Sequence, residues 1–159
     1  MIAALFLQYA AAEPLPRDVW ASISAHAALD RTSRVIEFVR DANDQSESHY
    51  TLRLTTRYRD DPPTIMWATS RTCGAVRDAV ARLKTLPFPQ VELPGDTVYI
   101  ALDGVGYSVR FTATYGSLTE GPMQLNSNLA TPLAEWVEGT FAVLRPCWSP
   151  VRLIVKRKP

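Results

Sequence analysis

The run YTLRLTTRY at Tyr50–Tyr58 alternates strictly between two kinds of residue. Leu52 and Leu54 fall on one side of the alternation, and Arg53 and Arg57 fall on the other. A period of two, in residues that suit a pleated surface, predicts a half-buried β-strand. We therefore expect a sheet with an apolar inner face and a polar outer face.

A similar run, YSVRFTATY, returns at Tyr107–Tyr115, offset by 57 residues from the first. Aligned without a gap, residues 50–83 and 107–140 share identical residues such as Arg53 and Arg110, and their predicted elements follow in the same order. Such self-similarity indicates a structural unit used twice. The sequence predicts two tandem βββα units, at about 33–86 and 97–146, although two amphipathic strands can also share residues by chance.

The remaining segments complete the prediction of an α+β fold. Apolar residues at helical spacing predict a helix over Pro16–Ala27 before the first unit. Thr97–Leu102 reads as the first strand of the second unit, and Trp67 is expected to face the core from a short third strand of the first. Thr131 can cap the last helix. We expect an antiparallel sheet of about six strands with the helices packed on one face.

Composition bounds the function classes. The chain has 159 residues, of which 47% are hydrophobic and 21% are charged, with a net charge of +1. This is the composition of one globular domain with a substantial core. A protein that binds nucleic acid is usually far more basic. No segment has the roughly 20 apolar residues that cross a bilayer. We therefore expect neither nucleic acid binding nor a membrane span.

The N-terminal residues 1–12 resemble the second half of a signal peptide. An apolar run precedes the small residues Ala10 and Ala12, which are spaced as a cleavage site requires, and Glu13-Pro14 follows. This pattern predicts a periplasmic or secreted protein whose domain comprises residues 13–159. The alternative is an apolar N-terminal helix or tail.

The chain has two cysteines, Cys73 and Cys147. One opens the helix of the first predicted unit, and the other follows the helix of the second. If the two units pack about a pseudo-twofold axis, their helices are antiparallel and the two cysteines meet. An even count in an exported protein then favours a disulfide. Two buried free thiols and a nucleophilic cysteine are the alternatives.

No motif in the sequence names a reaction. His26 and His49 do not have the spacing of metal ligands, and Asp60-Asp61 lies in a proline-rich turn. No phosphate-binding loop, nucleophile elbow or dinucleotide fingerprint is present. We therefore expect no catalytic residue, no metal and no cofactor.

The outer face of the predicted sheet is the candidate binding surface. Its arginines could donate to a partner protein or to an anionic ligand, with two of them at equivalent positions of the two units. The alternative is a polar face that is simply solvated. The candidate residues are Arg53, Arg57, Arg110, Thr55 and Thr112.

Taken as a whole, the sequence favours a small exported bacterial protein that acts as a non-enzymatic binding or inhibitor-like module through its sheet face. Two alternatives stay open at this level. One is a structural, envelope-associated protein without a ligand, and the other is a hydrolase-type enzyme.

Overall fold

A computed structural model describes residues 15–40, 49–89, 104–114 and 120–152. Within them, six strands form one antiparallel sheet in the order β4-β3-β2-β1-β5-β6, with two α-helices. The fold class predicted from the sequence is confirmed. The elements are β1 (Val19–Ala27), β2 (Thr32–Val39), β3 (Thr51–Tyr58), β4 (Thr64–Thr69), α1 (Ala75–Arg82), β5 (Val105–Thr114), β6 (Glu120–Ser127) and α2 (Pro132–Leu144).

Both helices pack on one face of the sheet, which we call the inner face. Apolar side chains alternate along each strand, so every second residue points toward the helices. The four central strands contribute completely or almost completely buried residues, and each helix adds its apolar stripe. The core therefore lies between one side of the sheet and the two helices. Its central members are Ile23, Ile36, Leu52, Val109, Val76, Val137 and Leu144.

The helix predicted over Pro16–Ala27 is wrong, because Val19–Ala27 form strand β1 instead. Val19, Ala21, Ile23 and Ala25 are all buried, at a spacing of two residues. The same stretch satisfies a helical spacing as well, and its Ala and Ser residues have little intrinsic preference for strands. The two neighbouring strands decide the outcome, because β1 lies in the middle of the sheet and pairs with both β2 and β5.

The two hairpins β3–β4 and β5–β6 have the same register at the 57-residue offset. Leu52 pairs with Ala68, and the residues 57 positions later, Val109 and Leu125, also pair. The strand that flanks each hairpin comes from a different place in the chain. The inner neighbour of β3 is β2, whereas the inner neighbour of β5 is β1, from the N-terminal side of the chain. A repeat of two complete βββα units is thus not confirmed and stays a prediction.

Cys73 and Cys147 form a disulfide, as predicted, with their Cα atoms 5.6 Å apart. The bond joins the residues just before α1 to those just after α2. At the opposite ends of the helices, Arg82 at the end of α1 donates a hydrogen bond to the Trp136 carbonyl early in α2. Both contacts are those expected of two antiparallel helices. At the start of α2, the Thr131 hydroxyl accepts from the Ala134 amide at 3.1 Å, which confirms the predicted cap.

Two predictions lie outside the described residues. One is the signal peptide at residues 1–12. The other is the strand Thr97–Leu102, with which the second unit was predicted to begin. Among the helices that the structure describes, none is long and apolar enough to cross a membrane.

Candidate functional site

One row of paired residues crosses the whole outer face of the sheet, opposite the helices. We call it the central row. Its members are neighbours on successive strands, so their side chains share one face. In the order of the strands the row reads Trp67, Arg53, Glu37, Ser22, Arg110 and Gln124. Arg53 and Arg110 occupy equivalent places in it, each next to one of the two middle strands.

Arg53 is electrostatically satisfied within the row. Its Nε donates to the Glu37 carboxylate at 2.6 Å, and only 28% of the Arg53 side chain and 16% of the Glu37 side chain are exposed. This hydrogen bond raises the pKa of the guanidinium above its ordinary value, and it outweighs the desolvation that lowers it. Asp18 adds a second, weaker attraction. The Arg53 guanidinium is therefore already paired with an internal carboxylate and is less available to a ligand.

The residues that follow α2 pair with the outer edge of β4, on the side of the sheet that contains Arg53. Ser149 and Trp67 exchange two backbone hydrogen bonds, of 2.7 and 2.9 Å, so this segment continues the sheet beyond β4. Arg152 then lies over the Trp67 ring, with its Cζ 4.5 Å from the centroid, and Arg53 lies 5.9 Å from the same ring. The expectation that Trp67 faces the core is wrong. Its position in the alternation is that of Arg53, so it points outward.

Arg110 has a different environment. Its neighbour on β1 is Ser22, a small residue that is 3% exposed, and its neighbour on β6 is Gln124. Within the described part of the chain, Arg110 has no hydrogen-bond or ion-pair partner. It borders a hollow of about 540 Å³ on the outer face of β1, β5 and β6. The hollow is lined by Ser24, His26, Gly106, Tyr107, Ser108, Arg110, Gln124, Asn126, Ser127 and Asn128.

The lining of the hollow is polar, and none of these residues is acidic. Gln124 donates its side-chain N–H to Asn126 Oδ1 at 2.8 Å. The side-chain N–H groups of Asn126 take no part in this hydrogen bond. Gly106 contributes to the depth of the hollow because it has no side chain. A Cβ at this position would meet only the His26 carbonyl oxygen, at 4.0 Å. The hollow therefore presents hydroxyl and amide groups around a guanidinium that has no partner in the described part of the chain.

The structure places the predicted binding residues on one face but does not bring them together. Thr55 and Thr112 point outward from β3 and β5, and Arg57 is exposed near the end of β3. Arg53 and Arg110 are three strand spacings apart, roughly 14 Å at about 4.8 Å per strand. The two arginines thus cannot hold one small ligand between them, and Arg110 is the one that borders the hollow.

The lining residues that sequence reasoning missed include Ser24, His26, Gln124 and Asn126. The first two were missed because their segment was interpreted as a helix. The other two alternate with Met123 and Leu125 in β6, so a period of two already assigned them to the outer face. That signal was present in the sequence and was not used.

Other kinds of site have less support. Among the residues that the structure describes, no group of three or more His, Cys, Asp or Glu side chains is placed to hold a metal ion. His26 lines the hollow without an acidic neighbour in its lining. No geometry of a nucleophile and a base emerges from the described side chains.

Comparisons with known proteins add no assignment: no protein-family model matches the chain, and neither a curated protein nor a solved structure matches it significantly.

Proposed function

We propose that this protein is an exported, non-enzymatic binding module that receives its ligand or partner in the hollow on the outer face of β1, β5 and β6. The observation that carries the proposal is the guanidinium of Arg110 at the border of that hollow, which has no partner among the residues that the structure describes. A folded protein usually pairs a partly buried charge, because desolvation without a partner costs free energy. An arginine left open beside hydrogen-bond donors therefore suits a partner that supplies the acceptor.

The export part of the proposal is supported by two features. One is the apolar run that ends at Ala10 and Ala12, and the other is the disulfide between Cys73 and Cys147, a bond that persists mainly in oxidising compartments. We expect the mature protein to lie outside the cytoplasm with Glu13 near its N-terminus. N-terminal sequencing of the protein from the source cell checks this, and an intact Met1 on cytoplasmic protein contradicts it.

Binding in the hollow is tested with a variant that places a side chain in part of it. Gly106→Val adds a strand-favouring side chain at a position where a Cβ meets no atom closer than 4.0 Å, so the sheet should fold normally. Thr112→Val is the matched control, because it places the same valine side chain on the outer face of the same strand but outside the hollow lining.

Immobilised wild type, Gly106→Val and Thr112→Val are compared as baits for the envelope fraction of the source cell. The expected result is a molecule that wild type and Thr112→Val retain and that Gly106→Val retains at least roughly tenfold less, a loss of about 1.4 kcal/mol in binding free energy. Equal retention by all three baits contradicts a role for the hollow.

A further inference from the structure

The two arginines of the central row differ in one respect, which points to the chemistry of the ligand. Arg53 lies beside Glu37, whereas the equivalent neighbour of Arg110 is Ser22. The first half of the row thus holds its own internal carboxylate, bonded to the guanidinium at 2.6 Å. In the second half the equivalent place next to the arginine has only a hydroxyl, and the space beside Arg110 opens into the hollow.

We propose that the hollow binds a carboxylate group of its ligand, with Arg110 as the principal donor. The inference rests on the proposed function and specifies the ligand class for the same site. The carboxylate would take the role toward Arg110 that Glu37 has toward Arg53. The guanidinium is planar and presents paired N–H groups that match the two oxygens of a carboxylate.

The rest of the lining suits the same ligand group. Ser24 and Ser108 are paired neighbours on β1 and β5, and Asn126 is the neighbour of Ser108 on β6, so three polar side chains form a second row beside Arg110. The Asn126 oxygen is already occupied by Gln124, which leaves its N–H groups as donors. Hydroxyl and amide donors can complete the hydrogen bonds of an oxyanion.

Charge favours a carboxylate over a phosphate ester. Arg110 is the one described lining residue with a permanent charge, and a carboxylate carries a single negative charge that it balances. A phosphate monoester carries about −1.5 to −2 at neutral pH, and the surplus charge would be partly desolvated without a counter-ion. The ligand of the hollow is therefore a molecule or peptide segment that presents a carboxylate, such as an acidic side chain or a free C-terminus.

The test is a titration of isotope-labelled full-length protein followed by NMR, with glutarate as the probe. Glutaramide, in which both carboxylates are replaced by neutral amides, is the matched control ligand, and inorganic phosphate is the competing anion. We expect saturable shifts at the Ser24, Ser108, Arg110 and Asn126 amides with glutarate, at an affinity on the order of 1 mM. Neither glutaramide nor phosphate should produce comparable shifts.

Variants assign the binding to Arg110. Arg110→Gln should weaken glutarate binding by roughly tenfold or more, as expected for a charge-assisted hydrogen bond. Arg57→Gln removes an exposed arginine of the same sheet face and should leave the affinity unchanged. Gly106→Val should weaken binding without moving the charge. Circular dichroism and the dispersion of the spectra show whether each variant is folded.

Three outcomes would overturn the inference: no saturable shift with glutarate, equal affinity in Arg110→Gln, or tighter binding of phosphate than of glutarate. If glutarate fails while Gly106→Val still loses a captured partner, the binding function stands and the carboxylate assignment falls. If glutarate binds at Arg110 but filling the hollow changes no capture, the carboxylate site stands and the partner proposal falls.

Discussion

In the half of the sheet formed by β2, β3 and β4, Arg53 is bonded to Glu37 and lies near the Trp67 ring. The residues that follow α2 pair with the backbone of Trp67. In the half formed by β1, β5 and β6, the equivalent Arg110 faces Ser22 and a hollow. The two hairpins share one register, so the backbone places both arginines alike. One residue on each middle strand therefore distinguishes the two arginines: Glu37 pairs with Arg53, whereas Ser22 leaves Arg110 without an ion-pair partner among the described residues.

The halves also differ in how the chain builds them. The first follows the sequence from β2 to α1 without interruption, whereas the second takes its inner strand, β1, from the far N-terminal side. Similar sheet geometry is thus reached by two different connections. The outer face is thus alike in the layout of its two arginines and unlike in the residues that β1 and β2 place beside them.

The largest expected effect tests the covalent link between the halves. Replacing both Cys73 and Cys147 by serine should lower the free energy of unfolding by about 4 kcal/mol, because the bond constrains a loop with a sequence separation of 74 residues. Urea unfolding of the variant, and of wild type with and without reductant, measures it.

In the same variant, hydrogen exchange should rise at the Trp67 and Ser149 amides, which pair next to the lost bond, while glutarate binding in the second half should persist. Two free thiols in freshly exported wild type, or equal stability of oxidised and reduced protein, would show that the bond does not form or does not matter.

A smaller effect tests the contrast between the two arginines. Arg53→Gln should destabilise the protein by about 1.5–3 kcal/mol, because it leaves the largely buried Glu37 carboxylate without its charged partner. Arg110→Gln, at the equivalent place, should change stability by less than about 0.5 kcal/mol, since no internal bond is lost among the described residues. Denaturant titrations of both variants compare them, and equal losses would remove the distinction.

The smallest effect concerns another pair at the 57-residue offset, Tyr50 and Tyr107. The Tyr107 hydroxyl contacts Glu138 at 3.2 Å, and Glu138 also binds Arg34. Tyr107→Phe should cost about 1 kcal/mol, as for one hydrogen bond. Tyr50→Phe is the control and should cost less, because the hydrogen bond from Tyr50 to the Ser70 hydroxyl is donated by the backbone amide, which the substitution leaves in place.

The same tyrosine predicts a pH dependence. Burial, and then the nearby Glu138 charge, raise the pKa of Tyr107 above its ordinary value of about 10. The folded state therefore holds this proton more tightly than the unfolded state, and its contribution is present below pH 10 and lost as the pH rises beyond it. Unfolding measured from pH 8 to 11 should show a steeper alkaline loss in wild type than in Tyr107→Phe. Parallel curves would contradict the assignment.

Local patterns were enough to predict much of this fold. The alternation in β3 and β5 identified their inner and outer faces, and Thr131 with Pro132 marked the start of α2. The pairing of Cys73 with Cys147 also followed from the order of the elements. Each of these features depends on neighbouring residues or on element order, and both can be read from one chain.

The sequence by itself predicted the α+β class and the outward position of Arg53 and Arg110, and its two cysteines favoured the disulfide. Only the tertiary structure decided that β1 is a strand, because its Val, Ala and Ile residues satisfy either spacing until β2 and β5 bond to it. Only the tertiary structure, likewise, placed Glu37 beside one arginine and Ser22 beside the other. Those neighbours are distant in sequence, and the register that joins them is set by packing of the inner face, which no local pattern encodes.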